Sequence, residues 1–162
     1  MKRKAVRTEE DIESTFEKYA DMLYSISLIM LKNSRDAEDT VQDSFIRYIQ
    51  SDKSFESDEH KKAWLITVAS NLCRDRLRAS KRHRQEPIGE LTEFSQDNEE
   101  SGILDALTRL PEKYRIIMLL HYVHEYKVRE IARMLDISES AAKMRLKKGR
   151  ELLRDIYRKE YM

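Results

Sequence analysis

The chain has 162 residues, 38 % of them charged, with three glycines and two prolines, a composition that favours helices and leaves too little turn chemistry for an all-β fold. Its net charge of +1 hides a segregation: residues 1–84 carry 17 basic and 15 acidic side chains, 85–105 carry none and 7, and 106–162 carry 14 and 8, so an acidic connector precedes a basic C-terminal module. The single cysteine, Cys73, excludes an intramolecular disulfide, no apolar run is long enough to span a membrane, and no apolar segment follows the basic N-terminus, so a soluble cytoplasmic protein is expected.

Residues 9–32 predict one helix, because Ile12, Phe16, Tyr19, Leu23, Ile26 and Met30 recur at three- and four-residue steps and mark a core face. Asn33-Ser34 breaks it, and Ser34 can cap the next helix, 35–49, whose inward stripe reads Ala37, Val41, Phe45, Tyr48 and Ile49. Its far side carries Asp39, Gln42 and Asp43 with Ile46 among them. Two readings stand for that side: a contact surface for a basic partner protein, or a solvated acidic face with one stray Ile.

Residues 51–62 have no period and read as a loop, in which Phe55 either folds back onto the core, the favoured reading, or helps to line a pocket for an unstacked base. A long helix over 61–82 places Leu65, Ile66, Val68, Ala69, Leu72 and Cys73 on a packing arc. Thr67, Asn71, Arg74, Arg78 and Lys81 lie along another arc, with cations suited to phosphates and an amide suited to a base edge, or else a plain solvated face. Trp64, where the arcs meet, is a core anchor or, more boldly, a stacking platform. Cys73 reads as a small buried hydrophobe.

Residues 85–102 are acidic, aperiodic and hold Pro87 and Gly89, a flexible linker between a domain at 9–84 and another at 103–158. A helical pattern resumes with Ile103, Leu104 and Leu107 and halts at Leu110-Pro111. Pro111 then suits the first turn of a helix over 111–126, with Ile116, Ile117, Leu119, Leu120 and Val123 as the floor for the C-terminal pair of helices. His121 and His124 stand one turn apart without a third ligand nearby in sequence, so no metal site is expected.

That floor carries residues 127–154, KVREIARMLDISESAAKMRLKKGRELLR. Val128, Ile131 and Leu135 share one face, Ala132 permits close approach, Asp136 suits a left-handed turn, and Ser138 stands at a helix N-cap. In the second helix Ala142, Leu146, Gly149 and Leu153 point inward, while Glu139, Ser140, Lys143, Lys147, Arg150 and Arg154 face out. This is a helix-turn-helix whose second helix has the chemistry to enter a DNA major groove; a plain αα-hairpin with a solvated cationic face is the alternative. No pairing of Ser, Cys, His and carboxylates suggests catalysis, and no Gly-rich phosphate loop is present, so neither an enzyme, a cofactor nor a small-molecule substrate is expected.

Four stretches in this order, DAEDTVQDSF (36–45), WLITVASNLCRDRLR (64–78), LPEKYR (110–115) and EIARMLDISESAAKMRLKKGRELL (130–153), together resemble the bacterial sigma-70 family of RNA polymerase sigma factors, in particular its extracytoplasmic-function (ECF) group. The resemblance spans about 12–84 and 103–156. It implies an all-α protein of two small domains: a region 2-like domain that binds core polymerase and melts the −10 element, and a region 4-like helix-turn-helix that reads the −35 element. It further implies that Asp39, Gln42, Asp43 and Ile46 grip the polymerase β′ clamp helices, that Asn71 contacts a −10 base with Arg74 and Arg78 on the strand backbone, and that Ser140, Lys143, Arg145, Lys147 and Arg150 serve the −35 duplex.

Contact with the polymerase β flap and control by an anti-sigma factor, in some cases membrane-bound, are implied as well. The chain departs from the family at Lys127, where Ser or Thr often caps the first helix of the motif, and at Ala141-Ala142, which replaces a bulkier pair. Arg145 falls off the outermost face by helical count, so a phosphate or polymerase contact is as open to it as a base contact. The rival function is a stand-alone dimeric helix-turn-helix regulator binding symmetric half-sites without polymerase.

Overall fold

The computed structural model describes residues 7–83 and 99–161, and every regular element among them is a helix. The chain divides into two packed units, Met1–Pro87 and Ile88–Met162. The boundary falls in the expected linker, most of which (85–98) lies outside the described residues.

In the first unit, α1 (Glu9–Leu31) starts at Thr8, whose hydroxyl accepts the Asp11 N–H at 3.0 Å, with three acidic residues in the first turn complementing the helix dipole. It ends on Lys32, left-handed at φ 58°. That turn leaves Asn33 extended, so Asn33 and not Ser34 caps α2 (Ser34–Gln50), its side-chain oxygen accepting the Asp36 N–H at 3.0 Å. Helix α3 (Asp58–His83) begins three residues before the expected Lys61, because Ser57 caps it: its hydroxyl accepts the His60 N–H at 3.1 Å.

The three helices pack on one another around Leu23, Ile26, Met30, Phe45, Tyr48, Leu65, Ile66, Ala69 and Cys73, all buried. Ile12, Val68 and Leu72 are half-buried, and two expected core residues are exposed: Phe16 by 48 % and Ile49 by 45 %. At the level of Phe16 the seam is filled by Thr15 and the Tyr48 hydroxyl, 3.4 Å apart, leaving Phe16 to lean on Phe45 with ring centroids 4.9 Å apart. Ile49 lies about 100° past Tyr48, beyond the edge of that seam.

The second unit runs α4 (Glu99–Thr108), α5 (Glu112–Met118), a π-turn (Leu119–Val123), α6 (Val128–Leu135) and α7 (Glu139–Tyr161). Helix α7 packs on α4, α5 and α6. Arg115, buried, donates to the Thr108 carbonyl at 3.1 Å and so closes the C-terminal end of α4 with a cation. Arg109 pairs with Asp105 at 3.0 Å and with Glu160 near the end of α7.

The helix expected over 111–126 does not persist. Pro111 stands one place ahead of α5, at its N-cap, and the helix widens after Met118, with the His124 N–H reaching back five residues to the Leu119 carbonyl at 3.2 Å. The extra residue rotates the end of this helix, so Val123, expected in the floor, is 48 % exposed. Gly149 meets a close neighbour: a Cβ there would lie 2.9 Å from Met118 Cγ, which explains a glycine in the middle of α7.

Candidate nucleic-acid and polymerase interfaces

Helices α6 and α7 form the helix-turn-helix. The Glu130 carboxylate accepts the Lys127 N–H at 3.1 Å, supplying from N3 the cap that a lysine side chain, having no acceptor, cannot provide. Asp136 takes the left-handed turn at φ 54°, and the Ile137 N–H returns to the Ala132 carbonyl at 3.0 Å. The Ser138 hydroxyl accepts the Ala141 N–H at 3.1 Å and opens α7. Ile131, Ala132 and Leu135 bury against Ala142 and Leu146, which turns the opposite side of α7 outward.

Ser140, Lys143 and Lys147 are exposed on that outer side, with Lys148 beside them. Arg145 is half-buried, in keeping with its place off the outermost face. Arg150 is exposed but turned toward the π-turn, its Nη1 donating to the Tyr122 hydroxyl at 3.0 Å. Lys148 and Met144 were absent from the sequence-derived set, although the same 100° count that selects Ser140 and Lys147 selects them. Arg129, exposed on α6, reaches Glu139 at the start of α7 at 3.5 Å.

Beside this face a groove of about 610 Å³ runs between α4, the π-turn and α7. Its walls are apolar, including Ile103, Leu107, Met118 and Val123, and Arg150, Arg154 and Arg158 line it as well. Sequence periodicity could not reveal it, because the π-turn is what brings Tyr122 and Val123 to its edge.

On α3, Asn71 and Arg74 are brought together: the Asn71 side-chain oxygen accepts from Arg74 Nη2 at 2.8 Å, and both are half-buried. Arg78 is exposed and stands 3.7 Å from Asp75; the side chain of Lys81 lies outside the described residues. On α2, Asp39, Gln42 and Ile46 are exposed, Ile46 by 48 %. Asp43 differs: half-buried, it accepts from Arg76 Nη2 at 2.8 Å and ties α2 to α3.

Phe55 folds back. Its ring lies 6.2 Å from Tyr48, 5.5 Å from Trp64 and 5.3 Å from His60, so the loop 51–57 is seated on an aromatic cluster, and Trp64 is a member of it. Arg7 completes the cluster from the N-terminal side: its guanidinium sits 4.0 Å over the Tyr48 ring, with Nε donating to the Tyr48 carbonyl at 2.6 Å and Nη2 to the Lys53 carbonyl at 2.9 Å. Beneath, the Tyr48 hydroxyl donates to Asp11 at 2.6 Å and Lys61 Nζ lies 3.3 Å from the same carboxylate. The Tyr48 hydrogen bond, with help from Lys61, holds the Asp11 carboxyl below its ordinary pKa against the opposing effect of burial. Burial opposes the charge on Lys61, but Tyr48 and Asp11 outweigh it and raise its pKa.

The sequence matches the families described as Sigma-70 region 2 over residues 15–83 and Sigma-70, region 4 over residues 101–153. It is 32 % identical over 155 residues to the ECF RNA polymerase sigma factor SigW of Bacillus subtilis (strain 168), covering 84 % of this chain and 83 % of that protein. The chain belongs to the ECF group of the sigma-70 family. This sigma factor is also 29 % identical over 164 residues to the RNA polymerase sigma factor CarQ of Myxococcus xanthus, covering 96 % of this chain and 94 % of that one. Its fold is similar to that of the sigma factor RpoE in complex with the anti-sigma factor NepR from Bartonella quintana, at TM-score 0.78 and 19 % identity, over 93 % of this chain and 99 % of that chain. Like other sigma factors it is a transcription initiation factor that directs RNA polymerase to promoters. No helix among the described residues is long and apolar enough to cross a membrane.

Proposed function

We propose that the first unit binds core RNA polymerase through the outer face of α2 and takes the non-template strand of the −10 element on α3, and that the second unit reads the −35 duplex with α7. The observation that carries this division of labour is the outer face of α7: hydroxyl and lysine side chains stand exposed over a packed, small-residue inner stripe. Ser140, Lys143 and Lys147 meet the duplex directly, and the half-buried Arg145 contacts phosphate from the flank. Arg150, held by Tyr122, belongs to the rim of the groove as much as to the DNA face.

On α2, Asp39, Gln42 and Ile46 form the polymerase contact for the β′ clamp helices, with Asp43 at its edge, where it also braces Arg76. On α3, the Asn71–Arg74 pair presents an amide beside a cation, suited to an unpaired base and its phosphate, with Arg78 farther along. The groove of the second unit, apolar with three arginines, suits an amphipathic helix with acidic flanks, and we assign it to the β flap of polymerase. An anti-sigma factor, membrane-bound or not, competes for these same surfaces. The protein works in the cytoplasm and carries out no catalysis of its own.

The test is transcription by purified core polymerase, with and without the protein, on fragmented host genomic DNA, with the 5′ ends sequenced. Starts that appear only with the protein and share two upstream boxes at one spacing are expected. Absence of such starts, together with binding of palindromic DNA by the protein alone, would replace this reading with a dimeric regulator. Asp39→Lys is expected to weaken core binding and leave binding of −35 duplex to the second unit unchanged; unaltered core affinity would remove α2 from the interface. Asn71→Ala is expected to slow open-complex formation at constant core affinity, and an unchanged rate would sink its role.

A further inference from the structure

Met144 is 73 % exposed, more than any other large apolar side chain among the described residues. Single exposed apolar residues are common on protein surfaces, and methionine is a good helix former, so exposure alone means little. Its position says more. Met144 lies in the second turn of α7, with Ser140 four residues before it, Lys143 beside it, and Lys147 and Lys148 three and four residues after, all exposed. Ala142, Leu146 and Gly149 are buried on the other side. It is also not among the residues lining the apolar groove. One unbranched apolar side chain therefore projects from the middle of an otherwise polar and cationic face, near the end of the helix that enters a major groove first.

The floor of a major groove offers hydrogen-bonding edges and one apolar group, the 5-methyl of thymine. We propose that Met144 contacts the 5-methyl of a thymine in the −35 element and makes this sigma factor select thymine at that position. The inference rests on the reading of α7 as the −35 helix. A thioether on three rotatable bonds adapts its shape to a methyl, and no other base edge in the groove offers one, so the contact favours thymine over the other three bases.

The experiment uses promoter duplexes found by start-site mapping, with thymines partly replaced by deoxyuridine, which lacks only the methyl. The duplexes are bound by polymerase holoenzyme carrying the native protein, Met144→Ala or Met144→Leu, and bound and free fractions are cleaved at uracil. With the native protein, uracil at one or two thymines of the upstream box is expected to weaken binding about fourfold, the worth of one methyl removed from water. That interference should vanish with Met144→Ala and persist with Met144→Leu. An identical uracil pattern for the native protein and Met144→Ala, or no interference anywhere in the upstream box, overturns the proposal. The doubly substituted Lys143→Ala, Lys147→Ala protein separates the two levels. If it still loses upstream-box affinity while Met144→Ala changes nothing, only the methyl contact falls; if it binds the upstream box as the native protein does, the assignment of α7 falls with it.

Discussion

Asp11, Tyr48 and Lys61 form a small charged knot under the aromatic cluster, and its pH dependence has a definite sign. The folded state holds the Asp11 carboxyl below its ordinary pKa, mainly through the Tyr48 hydroxyl, so its contribution to stability is complete above about pH 4 and is lost as pH falls through the lowered value. Trp64, the one tryptophan in the chain, sits in the same cluster and reports on the first unit alone. Urea midpoints followed by its fluorescence should fall between pH 5 and pH 2, and Asp11→Asn should flatten that limb while lowering the midpoint at neutral pH. An acid limb of unchanged steepness in Asp11→Asn would assign the effect to other carboxylates.

Gly149 supports a second residue-level test. An alanine there gains about 1 kcal/mol of helix propensity but drives its Cβ into Met118, and overpacking of this kind typically costs about 1–3 kcal/mol. Gly149→Ala should therefore be neutral to destabilising by up to about 2 kcal/mol in chemical denaturation, and Met118→Ala should turn the same change into a gain. If the effect of Gly149→Ala is the same in both backgrounds, the close approach is not what selects glycine. At this scale the sequence was readable where chemistry repeats: the Ser138 cap, the buried Cys73 and the folded-back Phe55 follow from residue type and position. Asp43 was legible only as an exposed acid, because its partner Arg76 is 33 residues away and no local pattern links them.

The helices themselves were largely visible, since their stripes obey one period and their ends carry caps. The π-turn at 119–123 escaped. Leu-Leu-His-Tyr-Val has no breaker residue, and one extra residue in a turn changes neither composition nor hydrophobic count, yet it rotates Val123 out of the floor. Helix starts gave smaller errors of the same origin: Asn33 and Ser34, or Ser57 and Lys61, compete as boundaries, and tertiary placement chooses between them. Helix α7 depends on its cap. Ser138→Ala should lower the stability of the second unit by about 1 kcal/mol and accelerate amide exchange at Ala141. Unchanged exchange would mean that water replaces the hydroxyl without penalty.

Across the whole chain, the segregation of charge already separated a basic module from the rest: the region 2 match ends at 83, ahead of the acidic stretch, and the region 4 match begins at 101, in its last residues. On the division of labour proposed above, linking a −10 reader and a −35 reader through one polymerase gives each a high effective concentration once the other is bound, so modest contacts suffice at each end. Promoter affinity should fall steeply with salt. Neutralising Lys143 or Lys147 should reduce the log–log slope by about 1 each, with little change in which sequences are preferred. Loss of sequence preference without a change in slope would mark these lysines as base readers rather than phosphate contacts.

Arg7 bears on how the protein can be dissected. The family match to region 2 begins at residue 15, yet the guanidinium that holds the Tyr48 and Lys53 carbonyls, the Thr8 cap and the Asp11 carboxylate all precede it. A fragment cut at the family boundary would lose the residues that seat the 51–57 loop on the aromatic rings. A fusion joined just before Thr8 would lose that seat while keeping every helix. Domain edges drawn by similarity and edges drawn by bonding differ here by eight residues, 7–14, and an expression fragment of the first unit should begin ahead of Arg7.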